Sequence, residues 1–462
     1  MTVPDSLIVS VSGIRGRVGI DLDPQAVAGF AASFGTFVRE RGWGEHVAIG
    51  RDSRMSGPAF VRAATAGLQA VGCHVHDLGM VPTPTALLEI QTRGLSGGIV
   101  VTASHNPREW NALKLASPEG AFLTPEQGTD FVATLRAGRR PAYVTTEFGP
   151  VDELPGATER HIESILALDL IDPTRIAAAG FKIVLDCTRG AGGVILPALL
   201  DRLGCSFVGI DLEPDGRFTR EPEPIPENMT ALCERVPQEG ADLGMAVDPD
   251  VDRLALVDGR GRPIGEDYTL ALATRLVLAH RRGRVVANLS TSQIVEAVCA
   301  EAGAEYHQSP VGEANVALAM REVGAVVGGE GNGGVILPAL HYTRDAPLAV
   351  ALVLQLLAET GSDLEEVVAH YPHFCIVKDR FPRADTDMGE LLGRVEKSFP
   401  DAELDHRDGL HLRWRQRRMW LHCRPSGTEP ILRVIGEGPR EQEDEVRSLV
   451  QTAGSLIGPT AG

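Results

Sequence analysis

Short β-branched runs alternate with amphipathic stretches along most of the chain, and three segments repeat the same order. "HVAIGRDSR" at 46–54 leads through a helical pattern to "AVGCHVHDLG" at 70–79. "FKIVLDCTRG" at 181–190 leads to "RLGCSFVGID" at 202–211, and "RVVANLSTS" at 284–292 leads to "EAGAEYHQSP" at 301–310. Each reads as a buried strand, a polar or glycine-bearing turn, an amphipathic helix, a glycine stop and a second strand. That is a βαβ unit, and its right-handed crossover makes the two strands parallel. Gly72, Gly204 and Gly303 stand where a positive-φ residue ends each helix. The repetition predicts three α/β domains with related cores, the alternative being chance likeness among ordinary βαβ units.

The pattern changes in the last hundred residues. "HLRWRQRRMWLHCRPSGTEPILRVIGEG" at 411–438 reads as two antiparallel strands broken by a Gly/Pro loop, and "EQEDEVRSLVQTAGSLI" at 441–457 as an amphipathic helix. Arg413, Arg415, Arg417 and Arg418 fall at near-alternate positions, and most of them read as solvated strand edges. This predicts a smaller α+β domain. The boundaries are placed to give units 1–150, 151–257, 258–370 and 371–462.

Composition narrows the classes. At 462 residues the chain exceeds a single core and suits three or four domains. A net charge of −18 argues against nonspecific nucleic-acid or anionic-membrane binding, so an anionic substrate needs local cations to hold it. The seven cysteines are scattered, with no CxxC pair, which argues for a reducing cytoplasm and against a disulfide framework or thiolate zinc site. The start shows no basic-then-apolar segment, so no signal peptide is expected. The most apolar run, "APLAVALVLQLLA" at 346–358, is too short to span a bilayer.

Four loops carry candidate chemistry. In "GGIVVTASHNPREWNALKL" at 97–115, an apolar strand runs straight into Ser104, His105, Asn106 and Pro107. Ser104 stands at the strand's carboxyl end, where α/β sheets place ligands; alternatively it caps a following helix. In "MAVDPDVDRLALVD" at 245–258, Asp248, Asp250 and Asp252 alternate, a spacing that aims several carboxylates at one hard divalent cation. An EF-hand would need Gly and Glu where Arg253 and Gly259 stand. A solvated acidic turn is the bland alternative, although three clustered carboxylates are unfavourable without a cation. In "GGEGNGGVILP" at 328–338, glycines surround Glu330 and Asn332, a carboxylate and an amide suited to sugar hydroxyls, or a long hairpin turn. In "RPSGTEP" at 424–430, Arg424, Ser426, Gly427 and Thr428 offer a guanidinium, two hydroxyls and exposed N–H groups, an anion nest of phosphate size. Neither glycine-rich loop fits a Walker A or dinucleotide fingerprint.

Together these motifs, with "GIRG" at 13–16, resemble the α-D-phosphohexomutases from end to end. The resemblance implies three related α/β domains with mixed sheets plus a C-terminal α+β domain, arranged around one central cleft to which each gives a loop. It implies a mutase that interconverts hexose 6-phosphate and hexose 1-phosphate through a phosphoserine at Ser104 and a bound 1,6-bisphosphate. Mg²⁺ on Asp248, Asp250, Asp252 and the Ser104 phosphate would neutralise developing charge. Arg15 and Arg253 would meet the transferring group. Lys114 matches the general base, its pKa lowered by burial among cations, and His105 flanks it. Glu330 and Asn332 match the sugar-reading positions, and the "RPSGTEP" residues the site for the non-reacting phosphate. Hexose 1,6-bisphosphate is the implied activator, and a monomer or homodimer the implied state.

Two positions depart from the family. Many members end the sugar loop in Ser-Gly-His, whereas Asn332, Gly333 and Gly334 stand here. Glu313, in "PVGEANV", stands where some relatives carry a basic or another polar residue. "RPSGTEP" and "TASHNP" lean toward glucosamine phosphate as substrate, with phosphomannomutase/phosphoglucomutase activity as the alternative. A metal-dependent sugar phosphatase and a non-catalytic sugar-phosphate binder are the readings from other classes.

Overall fold

The computed structural model describes residues 7–10, 13–382, 387–425 and 431–457. Each of the three repeated segments forms the expected parallel pair. His46–Arg51 pairs with His74–Met80, Lys182–Asp186 with Ser206–Ile210, and Arg284–Asn288 with Tyr306–Ser309. Gly72, Gly204 and Gly303 all have positive φ at the ends of the intervening helices.

These pairs seed three mixed sheets. The first has seven strands, in the order Ile8–Ser10, Gly13–Arg17, Trp110–Ala116, Gly97–Val101, His46–Arg51, His74–Met80, Val151–Glu153. The second and third have four strands each, and in both an antiparallel edge strand, Leu254–Asp258 or Gly334–Ile336, returns along its neighbour. These two returns are the arms of the acidic loop and of the glycine-rich loop. The fourth sheet has five strands, all antiparallel, with the helix Glu443–Ile457 against one face.

Sheet membership differs from the sequence reading at two boundaries. Val151–Glu153 pairs with His74–Met80, so it belongs with the first unit rather than the second. Asp258 closes the second sheet rather than opening the third. The "HLRWRQRR" stretch also differs: Leu410–Trp414 and Met419–Pro425 are separate strands, so 411–438 holds three strands, not two. A hairpin turns at 415–418 with Arg418 at φ 53. No Gly or Asn marks that turn, and the left-handed residue is an arginine. Nor are the four arginines simply solvated. Arg413 pairs with Glu296, Arg415 with Glu403 at 2.7 Å, Arg417 with Glu445, and Arg418 covers the Phe374 ring at 4.9 Å.

The apolar run at 346–358 lies in the helix Ala346–Thr360, buried through Leu357. It packs in one continuous core shared by the second and third units. Among the described residues no helix is long and apolar enough to cross a membrane. All seven cysteines are free.

Candidate active site

Ser104 owes its position to a network beneath it. The strand Gly97–Val101 is fully buried and returns antiparallel as Trp110–Ala116, so the loop between them joins two strands and Ser104 caps no helix. The turn forces Ser104 to φ 49, a left-handed conformation that costs energy for a residue with a Cβ. Arg54 holds it there. Its buried guanidinium donates to the carbonyls of Ser104 at 2.6 Å, Asn106 at 2.7 Å, Pro107 at 2.7 Å and Trp110 at 2.9 Å. Asp52 accepts from Arg54 Nε at 3.0 Å and from Thr102 Oγ1 at 2.7 Å, and Thr102 Oγ1 accepts from the Ser104 N–H at 2.9 Å. A rigid underside thus holds the loop that carries the Ser104 hydroxyl. Neither Arg54 nor Asp52 was singled out from sequence, although "GRDSR" after a strand was the available signal.

The acidic loop meets that hydroxyl. Ser104 Oγ donates to Asp248 Oδ2 at 2.8 Å, across two domains. Asp248, Asp250 and Asp252 are fully buried, with ligand oxygens all within 4.8 Å of one another. The loop curls around Asp248, whose Oδ1 accepts from the N–H groups of Asp252 and Arg253 at 3.1 and 3.3 Å. The curl places Val251 at φ 64, a strained value for a β-branched residue.

The donor set fits a hard divalent cation. Among the described residues Asp250 Oδ1 and Asp252 Oδ1 are buried with no hydrogen-bond partner, a costly arrangement unless a cation takes them. Burial and then Asp252 and Asp250 push the Asp248 carboxyl well above its ordinary range. Burial acts upward on Asp250 too, but Lys114 and Thr83 outweigh it and hold that carboxyl low.

Lys114 departs from expectation. Its Nζ lies 2.7 Å from Asp250 Oδ2 and 3.6 Å from Asp252 Oδ2. Burial lowers its pKa, but Asp250 and Asp252 outweigh burial and the net shift is upward. The sequence reading placed it among cations; the structure places it among carboxylates. His105 behaves in the opposite way. Burial, then Arg253 and Arg15, push its pKa well below the ordinary value, so its ring is neutral. It lines the cleft, with Nδ1 3.4 Å from Ser104 Oγ and Nε2 3.9 Å from Glu223 Oε1. Arg15 holds Asn106 Oδ1 at 2.9 Å, and Arg253 holds Glu223 Oε1 at 3.0 Å, so both guanidiniums flank the serine loop.

The glycine-rich loop closes the third side. Glu330 Oε1 accepts from Asn288 Nδ2 at 2.8 Å and from the Gly312 N–H at 3.0 Å, and Oε2 from Arg344 at 2.7 Å. Burial acts upward on Glu330, but Arg344 and these donors prevail and its pKa is lowered. Asn332 lines the cleft beside it. Gly333, at φ +87, packs on the acidic loop: a Cβ there would come 2.4 Å from the Leu254 carbonyl, and the Leu254 N–H donates to the Gly333 carbonyl at 3.0 Å.

The missing histidine has a structural counterpart. A Cβ at Gly334 would lie 2.2 Å from Arg344 Cδ, so the arginine occupies the space of any side chain at that position. Arg344 is 7% exposed and contacts Asp252 at 2.5 Å, Glu330 at 2.7 Å and Glu313 at 3.2 Å. Glu313 is therefore a buried partner of Arg344, also bonded to Thr343, rather than an acid facing the cleft. Sequence reasoning missed Arg344; no repeat or glycine pattern marks it.

The four units enclose a cleft of about 730 Å³, to which they contribute His105, Arg253, Glu330 and Arg424 respectively. Lys378, Arg380 and Arg433 add positive charge on the fourth side. Arg424 pairs with Asp408 at 3.1 Å. Ser426, Gly427 and Thr428 lie outside the described residues.

Known proteins match along this whole architecture. Three profiles of the phosphoglucomutase/phosphomannomutase family fit the chain: α/β/α domain I over 7–139, domain II over 159–261 and domain III over 265–374. A probable phosphoglucosamine mutase of Methanopyrus kandleri is 36% identical over 442 residues, covering 95% of each chain. A phosphoglucomutase/phosphomannomutase of Thermococcus kodakarensis is 32% identical, covering 93% of this chain and 94% of that one. Among solved structures, a phosphoglucomutase/phosphomannomutase family protein of Burkholderia thailandensis superposes with a TM-score of 0.85 at 26% identity, covering 100% of this chain and 99% of that one.

Proposed function

The chain belongs to the phosphoglucomutase/phosphomannomutase family, the α-D-phosphohexomutases, and from that premise we propose that it moves phosphate between the 6- and 1-positions of glucosamine phosphate by way of Ser104. The observation that carries this reading is the Ser104 hydroxyl 2.8 Å from Asp248, next in the chain to His105, which lines a cleft built by four domains.

The reaction divides into two transfers. Phosphoserine 104 gives its phosphoryl group to the free sugar hydroxyl: the Oγ–P bond breaks, a sugar O–P bond forms, and His105 relays the sugar hydroxyl's proton to the departing Ser104 Oγ, 3.4 Å from its Nδ1. The 1,6-bisphosphate turns over in the cleft. Ser104 Oγ then takes the phosphoryl group from the other end: that sugar O–P bond breaks, an Oγ–P bond forms, and the serine's proton passes back through His105 to the sugar oxygen left behind. Asp248, Asp250 and Asp252 are the residues to hold Mg²⁺, which when bound supplies positive charge to the phosphoryl oxygens. Arg15 and Arg253 orient that group from the sides. Lys114, held as a cation, balances the carboxylates below it. Glu330 and Asn332 read the sugar, and Arg424 with Ser426, Gly427 and Thr428 anchors the other phosphate.

Glucosamine is supported by the cleft's carboxylates, since Glu223, Glu266 and Glu330 all line it and suit an ammonium group. The second reading, glucose or mannose phosphate, is favoured by Arg344, which already neutralises Glu330. A coupled assay across glucosamine, glucose, mannose and N-acetylglucosamine phosphates decides. The highest kcat/KM is expected with glucosamine 6-phosphate. A higher value with mannose or glucose phosphate overturns the sugar assignment, and release of inorganic phosphate in place of isomerisation overturns the mutase reading.

A further inference from the structure

Thirteen histidines are spread over the chain, and three of them meet on one face of the first sheet, away from the cleft. His46 opens the strand His46–Arg51 and stands in register with His74 on the parallel neighbour His74–Met80. His76 follows two residues on, so it projects from the same face as His74. The rings of His74 and His76 stack at 4.3 Å, those of His46 and His76 at 5.3 Å. One ring nitrogen from each lies within 4.8 Å of the others. Solvent reaches the patch: His46 is exposed and the other two are half-buried.

The tautomers are arranged for ligation. Asp152, on the next strand, lies 2.6 Å from His74 Nε2. A carboxylate there fixes the proton on Nε2 and leaves Nδ1 with a free lone pair, the carboxylate–histidine relation found behind metal-bound imidazoles. His46 Nδ1 and His76 Nε2 lie 3.0 Å apart, so they share one proton that an ion can displace.

We propose that His46, His74 and His76 form a second metal site, for a transition ion of the zinc class, with the fourth position open to water. Neutral imidazoles select zinc, copper or nickel over magnesium, whereas the all-carboxylate set of Asp248, Asp250 and Asp252 selects the reverse. The two sites lie at opposite ends of the first sheet. The strand that begins at His46 ends beside Asp52, which supports the serine loop, roughly 17 Å away by strand rise. An ion there ties the edge strand Val151–Glu153, through Asp152 and His74, to the sheet's interior, and so acts on stability rather than chemistry.

The test uses the full chain without a polyhistidine tag, stripped with a chelator and dialysed against Zn²⁺ in excess Mg²⁺. Wild type should bind one Zn²⁺ per chain and unfold at a higher temperature with it. His76→Ala and His46→Ala should each weaken binding by at least roughly tenfold, and Asp152→Asn by about 10–100-fold. All three should retain mutase activity in Mg²⁺. Asp250→Asn should bind Zn²⁺ as wild type does. No Mg²⁺-resistant Zn²⁺ in the wild type, equal binding in His76→Ala, or loss of the ion in Asp250→Asn each overturns the proposal.

Discussion

Arg344 concentrates the electrostatics of the site on one side chain. It answers three buried carboxylates from two loops and one helix: Asp252, Glu330 and Glu313. Removing one partner of a buried ion network leaves the others uncompensated and costs roughly 3–5 kcal/mol. Arg344→Ala should therefore lower the midpoint of denaturant unfolding as well as the turnover rate, and Arg344→Lys should recover part of the stability. An unchanged unfolding midpoint in Arg344→Ala would show that the network does not support the fold. Nothing in "HYTRDAPL" advertises this residue; its role follows from two loops and a helix converging on it. The three aspartates stood out in the sequence because their alternation suits one cation, and Ser104 because it ends a buried strand; the structure brings the four together. Lys114 was legible by position but not by charge state, since the carboxylates that raise its pKa come from another domain, 136 residues away.

At the scale of elements, the repeated strand–helix–strand pattern was readable because parallel pairs demand a crossover of fixed hand. The hairpin at 415–418 was not, because arginine occupies a turn position that glycine or asparagine usually announces. The strands around that hairpin carry a pH dependence of their own. On Leu410–Trp414, His411 stacks over Trp420 at 5.4 Å, and burial, then His422, lower its pKa from 6.5 to about 3. Above pH about 6.5 the ring is neutral in both folded and unfolded chains and adds no pH dependence. Between about 6.5 and 3 the unfolded chain binds a proton that the folded chain refuses, so stability falls as pH falls. His422 is lowered too and acts with the same sign. His411→Phe keeps the stacked ring and removes the proton site. Its unfolding midpoint, followed by tryptophan fluorescence, should decline less from pH 6.5 downward than the wild type's. Parallel declines would show that His411 is not a source of acid sensitivity.

At the scale of the molecule, the proposed mechanism requires the cleft to hold a bisphosphate while it reverses. If one serine serves both ends of the sugar, the distal phosphate should rest on the Arg424 side in either orientation. Truncating an arginine–phosphate pair at a desolvated site costs roughly 2–5 kcal/mol, expressed largely in dissociation. Arg424→Ala should raise KM and also release bisphosphate, leaving dephosphorylated enzyme that needs added glucose 1,6-bisphosphate to restart. A raised KM with no leakage would confine Arg424 to substrate entry.

The central claim is that phosphate passes through Ser104, and intact mass joined to turnover tests it most directly. Wild type incubated with glucose 1,6-bisphosphate should gain the mass of one phosphoryl group, mapped to Ser104, and lose it to added hexose phosphate at least as fast as it turns over. Ser104→Ala, a small change on a loop held by Arg54, should fold normally, gain no phosphoryl group and lose at least about 10³-fold in turnover. A folded Ser104→Ala protein that turns over at the wild-type rate, or a phosphoryl group mapped to another residue, would contradict the account.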